Sequence, residues 1–239
     1  MFRDNDQKMA LKARNGRQVV VRLEVNPRAR RLILRLDEKT REAVAVAPRT
    51  RDIPAAAAFA TERVDWIASQ LSRMPDTVAF EPGAVIPLRG EPCRLSLDGP
   101  GRRARLDVEE EVVLRAPGAE ETFDARITRY LKAAAKTDLA EAVEHHCGVL
   151  GVTARRLSVK DTRSRWGSCS SEGVLSFSWR LICAPPEVLD YVAAHECAHL
   201  LEMNHSDRFW GHVARTCPDW KRHRRWLRTH GRELHAVGG

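Results

Sequence analysis

The segment His195-Glu196-Cys197-Ala198-His199 carries the residue types and spacing for hydrolytic metal chemistry. On a helix, His195 and His199 stand one turn apart and project from one face, where two imidazoles can share one metal ion. Glu196, about 100° further round, can meet a water bound to that ion. Chance would place H-E-x-x-H in a chain of this composition about 0.03 times, and roughly 0.001 times with a further His six residues on. That further residue is His205. A straight helix rises ~1.5 Å per residue and would carry it ~9 Å beyond His199, on another face. His205 reaches the metal only if the helix stops near Glu202 and the chain turns back, with Asn204 as a pivot tolerant of the left-handed conformation. Ser206-Asp207 then reads as a new helix start. Glu202, three residues after His199, is the rival third ligand on an unbroken helix. Three neutral imidazoles would leave Zn2+ with an open position, the pattern of catalytic sites, whereas structural zinc sites close with four ligands. The expected reaction is peptide-bond hydrolysis by a zinc-activated water, with Glu196 as general base.

Several elements must position these groups. Pro185-Pro186-Glu187 starts the metal-site helix, buried through Val188, Tyr191 and Val192. Phe209, Trp210, Val213 and Cys217 pack the next helix, which Pro218 breaks, and Asp219 to His230 forms a last helix ending at Gly231. His223 and His230 fall at core-edge spacing there. Upstream, residues 123–147 form a long helix with Ile127, Leu131, Ala134, Ala135, Leu139 and Val143 inward, and Gly148 as the stop. His145 and His146 sit in its last turn as terminal groups and not as ligands. Leu157–Lys160 reads as a strand and Ser170–Gly173 as a turn. Val174–Leu181 alternates, with Leu175, Phe177, Trp179 and Leu181 on one face.

No His precedes position 145, and the first part of the chain shows no catalytic spacing. Residues 17–48 alternate as a β-meander with a turn at Asp37-Glu38-Lys39, and Pro54–Met74 turns helical behind Asp52 as a candidate cap. Residues 76–117 carry short antiparallel strands between Gly/Pro turns, without a detectable internal repeat. The expected architecture is α+β: a strand-rich domain over 1–120 and a helical metal-binding domain over 121–239.

The chain has 239 residues, 43% hydrophobic and 30% charged, an ordinary globular balance. No run approaches the ~18 apolar residues of a membrane span, and the polar stretch Met1–Lys8 lacks a signal-peptide core, so a cytoplasmic protein without membrane contact is expected. Six cysteines without a C-x-x-C pair read as buried or partly buried thiols. The net charge is +8, and 33 of the 40 basic residues are arginine. This permits contact with nucleic acid, but the arginines are spread along the chain and only Lys221-Arg222-His223-Arg224-Arg225, with Arg228, is dense. A peptide or protein substrate is the expected partner, and a zinc-containing nucleic-acid-binding module, or a protease recruited to DNA, is the alternative. The oligomeric state is not legible.

Arg165-Trp166-Gly167-Ser168-Cys169, Trp179-Arg180-Leu181, Pro185–Val192 and His195-Glu196-x-x-His199 resemble the YgjP-like zinc metallopeptidases, which are grouped with SprT-like proteins in the zincin superfamily. Asn204-His205-Ser206 and Phe209-Trp210 continue the match, which is dense from about Leu157 to Gly231. The resemblance implies a zincin fold with a small β-sheet beside the helices, metal ligation by His195, His199 and His205, and Glu196 as general base. It departs at Ser178, where the family pattern has Asn. Glu202 also stands where a metzincin of the same His spacing has a turn glycine. In zincins a peptide lies beside an edge strand above the metal, which makes the segment around Ser164–Cys169 or Val174–Trp179 the candidate platform. Arg165, by its proximity in sequence alone, is a candidate to steady the oxyanion.

Overall fold

The computed structural model describes residues 7–37, 40–162 and 165–238. The chain forms two compact units, Met1–Pro75 and Asp76–Gly239, and not the division expected at residue 120. The reason lies in the core of the second unit. Ile86, Leu88, Leu95 and Leu114, all upstream of residue 120, share one buried cluster with Ile127, Leu131 and Leu139 downstream of it.

In the first unit, β1 (Gln7–Lys12), β2 (Gln18–Val25), β3 (Ile33–Asp37) and β4 (Glu42–Ala47) form a sheet of order β1-β2-β4-β3. The expected meander is absent, because β4 returns between β2 and β3 and pairs in parallel with β2. Val19, Val21 and Leu23 alternate into the core, as a half-buried strand requires, and meet Ala43, Ala45 and Ala47. Glu38 and Lys39 of the expected turn lie outside the described residues. The helical segment is two helices, α1 (Ile53–Thr61) and α2 (Val64–Ser72), which bury Ala56, Ala60, Ile67 and Leu71. The Asp52 side chain makes no capping bond. Thr61 donates its hydroxyl back to the Ala57 carbonyl at 2.9 Å, a bond that favours bending where α1 ends.

The second unit opens with β5 (Val85–Leu88), β6 (Glu91–Ser96), β7 (Arg105–Val108) and β8 (Val112–Arg115), in the order β5-β6-β8-β7. Antiparallel, parallel and antiparallel pairings succeed one another across both this sheet and the first. α3 (Phe123–Leu150) follows. It runs through Gly148 and ends at Gly151, whose φ of 71° supplies the left-handed cap. His146 is therefore no terminal group: it is buried and bonds the Asp190 carboxylate at 2.9 Å and the Thr216 hydroxyl.

A three-stranded sheet comes next, with β9 (Arg156–Lys160), β10 (Gly167–Cys169) and β11 (Val174–Ser178) in the order β10-β11-β9. The alternation expected to Leu181 stops at Ser178, where Trp179–Cys183 tighten into a 3₁₀ turn. Arg180 is fully buried there, paired with Asp161 and donating its Nε to the Val237 carbonyl at 3.0 Å. Three helices complete the unit: α4 (Pro186–Ala198), α5 (Asp207–Thr216) and α6 (Trp220–Ala236). Gly231 lies inside α6 and is buried, instead of ending it. The six cysteines are free, and all but Cys169 are buried. Among the described residues no helix is long and apolar enough to cross a membrane.

Candidate metal centre

α4 begins with Pro186 in its first turn, where a missing amide donor costs nothing, and buries Val188, Tyr191, Val192 and Cys197. That burial turns His195 and His199 toward one cleft of about 510 Å³, lined also by Glu196, His205, Gly167 and Met203. The helix does stop, but at Ala198, four residues before Glu202. A hydrogen-bonded turn follows, with the amides of Leu201 and Glu202 both donating to the Ala198 carbonyl at 3.1 Å. Asn204 does not adopt the left-handed conformation; among the described non-glycine residues only Arg41 and Arg89 have positive φ. The chain is instead redirected as α5 begins, where Ser206 accepts the Phe209 amide at 3.4 Å.

This reversal brings His205 Nε2 to 3.1 Å from His195 Nε2. One ligand atom from each of His195, His199 and His205 lies within 4.8 Å of the others. Glu202 is outside this group; its carboxylate takes the Asn204 amide at 3.4 Å. Phe209 forms the floor, with its ring centroid 4.9, 4.4 and 4.8 Å from those of His195, His199 and His205. Trp210 flanks the site at 5.7 Å from His195 and is itself stacked on Trp220.

The donor set fits a divalent transition metal. Two Nε2 atoms 3.1 Å apart match the edge of a tetrahedron with metal–nitrogen bonds of 2.0–2.1 Å, about 3.3 Å. Without a cation or a shared proton their lone pairs would repel. His199 Nδ1 lies 3.1 Å from the Glu202 carbonyl, an arrangement in which Nδ1 donates and Nε2 keeps its lone pair. Burial, with the neighbouring His199 and His205, holds His195 down to about 3, and burial also lowers His199, which favours the neutral imidazole that metal ligation requires.

Glu196 is 5% exposed, and burial pushes its carboxyl up to about 8, against a smaller opposing effect of Arg165. It sits against Gly167 of β10, where a Cβ would lie 2.5 Å from Glu196 Oε1. The next residue back, Trp166, stacks on His235 at 4.1 Å and packs over Gly231, whose added Cβ would meet the indole at 3.3 Å. Ser178 ties the same loop down, donating its amide to the Trp166 carbonyl and its hydroxyl to the Thr162 carbonyl. Gly167, Trp166, Gly231 and Phe209 thus shape the site, though periodicity alone marks none of the glycines for this task. Of the two expected platforms, β11 is the central strand, paired on both sides, whereas β10 is an edge strand lining the cleft. Ser164 lies outside the described residues. Arg165 lines the cleft, and Cys197 is buried away from it, 3.7 Å from Cys147.

The family model described as "YgjP-like, metallopeptidase domain" matches residues 30–230. A solved structure, "Crystal structure of the metallopeptidase zymogen of Pyrococcus abyssi abylysin", is 21% identical, covering 38% of this chain and 93% of that chain with a TM-score of 0.35. None of the curated proteins matches the chain. The family match spans most of the 239 residues and both compact units. On that match the chain belongs to the YgjP-like metallopeptidase family.

Proposed function

We propose that the protein is a zinc-dependent peptidase of the zincin type, in which His195, His199 and His205 hold the metal and Glu196 is the general base. The observation that carries this reading is the convergence of three imidazoles with one buried carboxylate in a single cleft. Zinc held by such a set supplies a Lewis acid that lowers the pKa of a coordinated water from 15.7 to about 7 and polarises a carbonyl. Glu196 then accepts the water's proton and later delivers it to the leaving amine. Its burial suits both roles, because a carboxylate shielded from water is a stronger base than one in solvent. The outer edge of β10, unpaired with any strand among the described residues, can receive an extended peptide by main-chain hydrogen bonds, which orients the scissile carbonyl without demanding a particular side chain. Cleft residues Met203 and Arg165 border that path and would bear on side-chain preference.

The decisive comparison is wild type against Glu196→Gln, with zinc content and peptide hydrolysis measured on the same preparation. The amide keeps the shape of the carboxylate but cannot take the proton, so the rate should fall ~10²–10⁴-fold at unchanged zinc content. Equal hydrolysis by two fully metallated proteins would sink the proposal.

A further inference from the structure

A second charged site lies in the same unit, built from residues that are far apart in the chain. The β6–β7 connection brings Arg102 and Arg103 to one face of α3, which presents Arg126, Arg129 and Tyr130 around a cavity of about 400 Å³. Positions 126, 129, 130 and 133 follow the i, i+3, i+4, i+7 spacing of one helical face. Among the described residues no carboxylate lines the cavity. Among the described residues, Arg102, Arg103 and Arg129 are exposed and take part in none of the ion pairs.

Arg126 makes the site more than a patch of solvated charge. Its guanidinium is anchored by the Thr122 hydroxyl and by the carbonyls of Ala116 at 3.2 Å and Ala119 at 2.8 Å. Its Nε is buried and without a partner. Gly118, at φ 122°, leaves the room it needs: a Cβ there would lie 3.2 Å from Arg126 Nη1. Anchoring by neutral acceptors holds the cation in place and leaves its charge uncompensated. Three further guanidiniums around the same space repel it and one another, an arrangement that a bound polyanion relieves. Planar guanidiniums pair with phosphate oxygens through two parallel hydrogen bonds, which favours phosphate over a simple halide. The cavity volume falls within the usual 300–1,000 Å³ of small-molecule sites, and Ala104, Ala133 and the Tyr130 ring give it an apolar wall for the body that carries the phosphate.

We propose that this arginine cavity binds a phosphate-ester polyanion, either a free nucleoside phosphate or a stretch of nucleic-acid backbone, at a site separate from the histidine cleft. The test uses the full-length protein at low salt, with ATP, pyrophosphate and a 12-nucleotide single strand as probes in a direct binding assay. Wild type should bind at least one probe saturably, and Arg102→Ala/Arg129→Ala should weaken it by at least about tenfold while peptide hydrolysis is unchanged. Both side chains are exposed, so the variant should fold. Tighter binding of ATP than of pyrophosphate assigns the free nucleotide; binding of the strand alone, with a steep salt dependence, assigns the nucleic acid. Binding of pyrophosphate as tight as that of ATP and the strand overturns recognition of an ester. Arg222→Ala/Arg225→Ala on α6 serves as the control for general basic charge and should bind as wild type. The proposal is overturned if wild type binds none of the probes, if the cavity variant binds as tightly as wild type, or if the loss follows the α6 variant instead.

Discussion

Gly167 and Glu196 occupy one space: a Cβ on the glycine would lie 2.5 Å from the carboxylate Oε1 and 2.6 Å from its Cγ. The glycine is what allows an edge strand to pass directly over the proposed general base. Gly167→Ala should therefore push the Glu196 carboxylate out of position without touching a histidine. A misplacement on the scale of 1 Å can cost about 10²-fold in rate, so hydrolysis should drop by at least that much at unchanged zinc content. Wild-type activity in Gly167→Ala, with Glu196 unmoved in a crystal structure, would contradict the placement.

His205 and Glu202 make opposite predictions. Loss of the His205 imidazole removes one of three donors, and zinc affinity should fall by more than the 10–100-fold typical of outer partners. Glu202→Ala removes a carboxylate outside the group but leaves the backbone carbonyl that meets His199 Nδ1, so affinity should stay close to wild type. Zinc titration of the two variants against a competing chelator separates them. Full affinity in His205→Ala with loss in Glu202→Ala would reassign the third ligand.

Phe209 is fully buried and touches all three imidazoles. Phe209→Ala should cost about 3–5 kcal/mol of stability through the cavity it leaves, measured by denaturant unfolding of the metal-free protein. The folded variant should also bind zinc more weakly, since the rings lose the surface that orients them. Unaltered zinc affinity would show that the turn after Ala198 alone orients the histidines.

The core of the second unit carries a prediction about truncation. Residues 76–239 expressed alone should fold and bind zinc, whereas residues 121–239 should not. The shorter piece strips Ile86, Leu88, Leu95 and Leu114 from the cluster that buries Ile127, Leu131 and Leu139. Cooperative unfolding and zinc binding by 121–239 would restore the boundary at residue 120.

Two kinds of information separate in this protein. The sequence by itself determined the features that depend on residues within a turn of each other: His195 and His199 on one helical face, the start of α4 at Pro186, the Ser206 cap of α5, and the inward stripe of α3. Helical periodicity and capping act over three or four residues, so they are written locally. It also located Ile127, Leu131 and Leu139 in the core, but not the strands that would cover them. Tertiary structure decided where distant segments return. It ended α4 at Ala198 and swung His205 back to His195. It inserted β4 between β2 and β3 and β8 between β6 and β7, since strand order depends on which apolar faces can be buried together and not on any local period. Gly148 and Gly231 look like helix stops in the sequence, yet one lies within α3 and the other receives Trp166. A glycine removes a side chain, and only the packing around it decides whether that freedom serves a turn or a close approach.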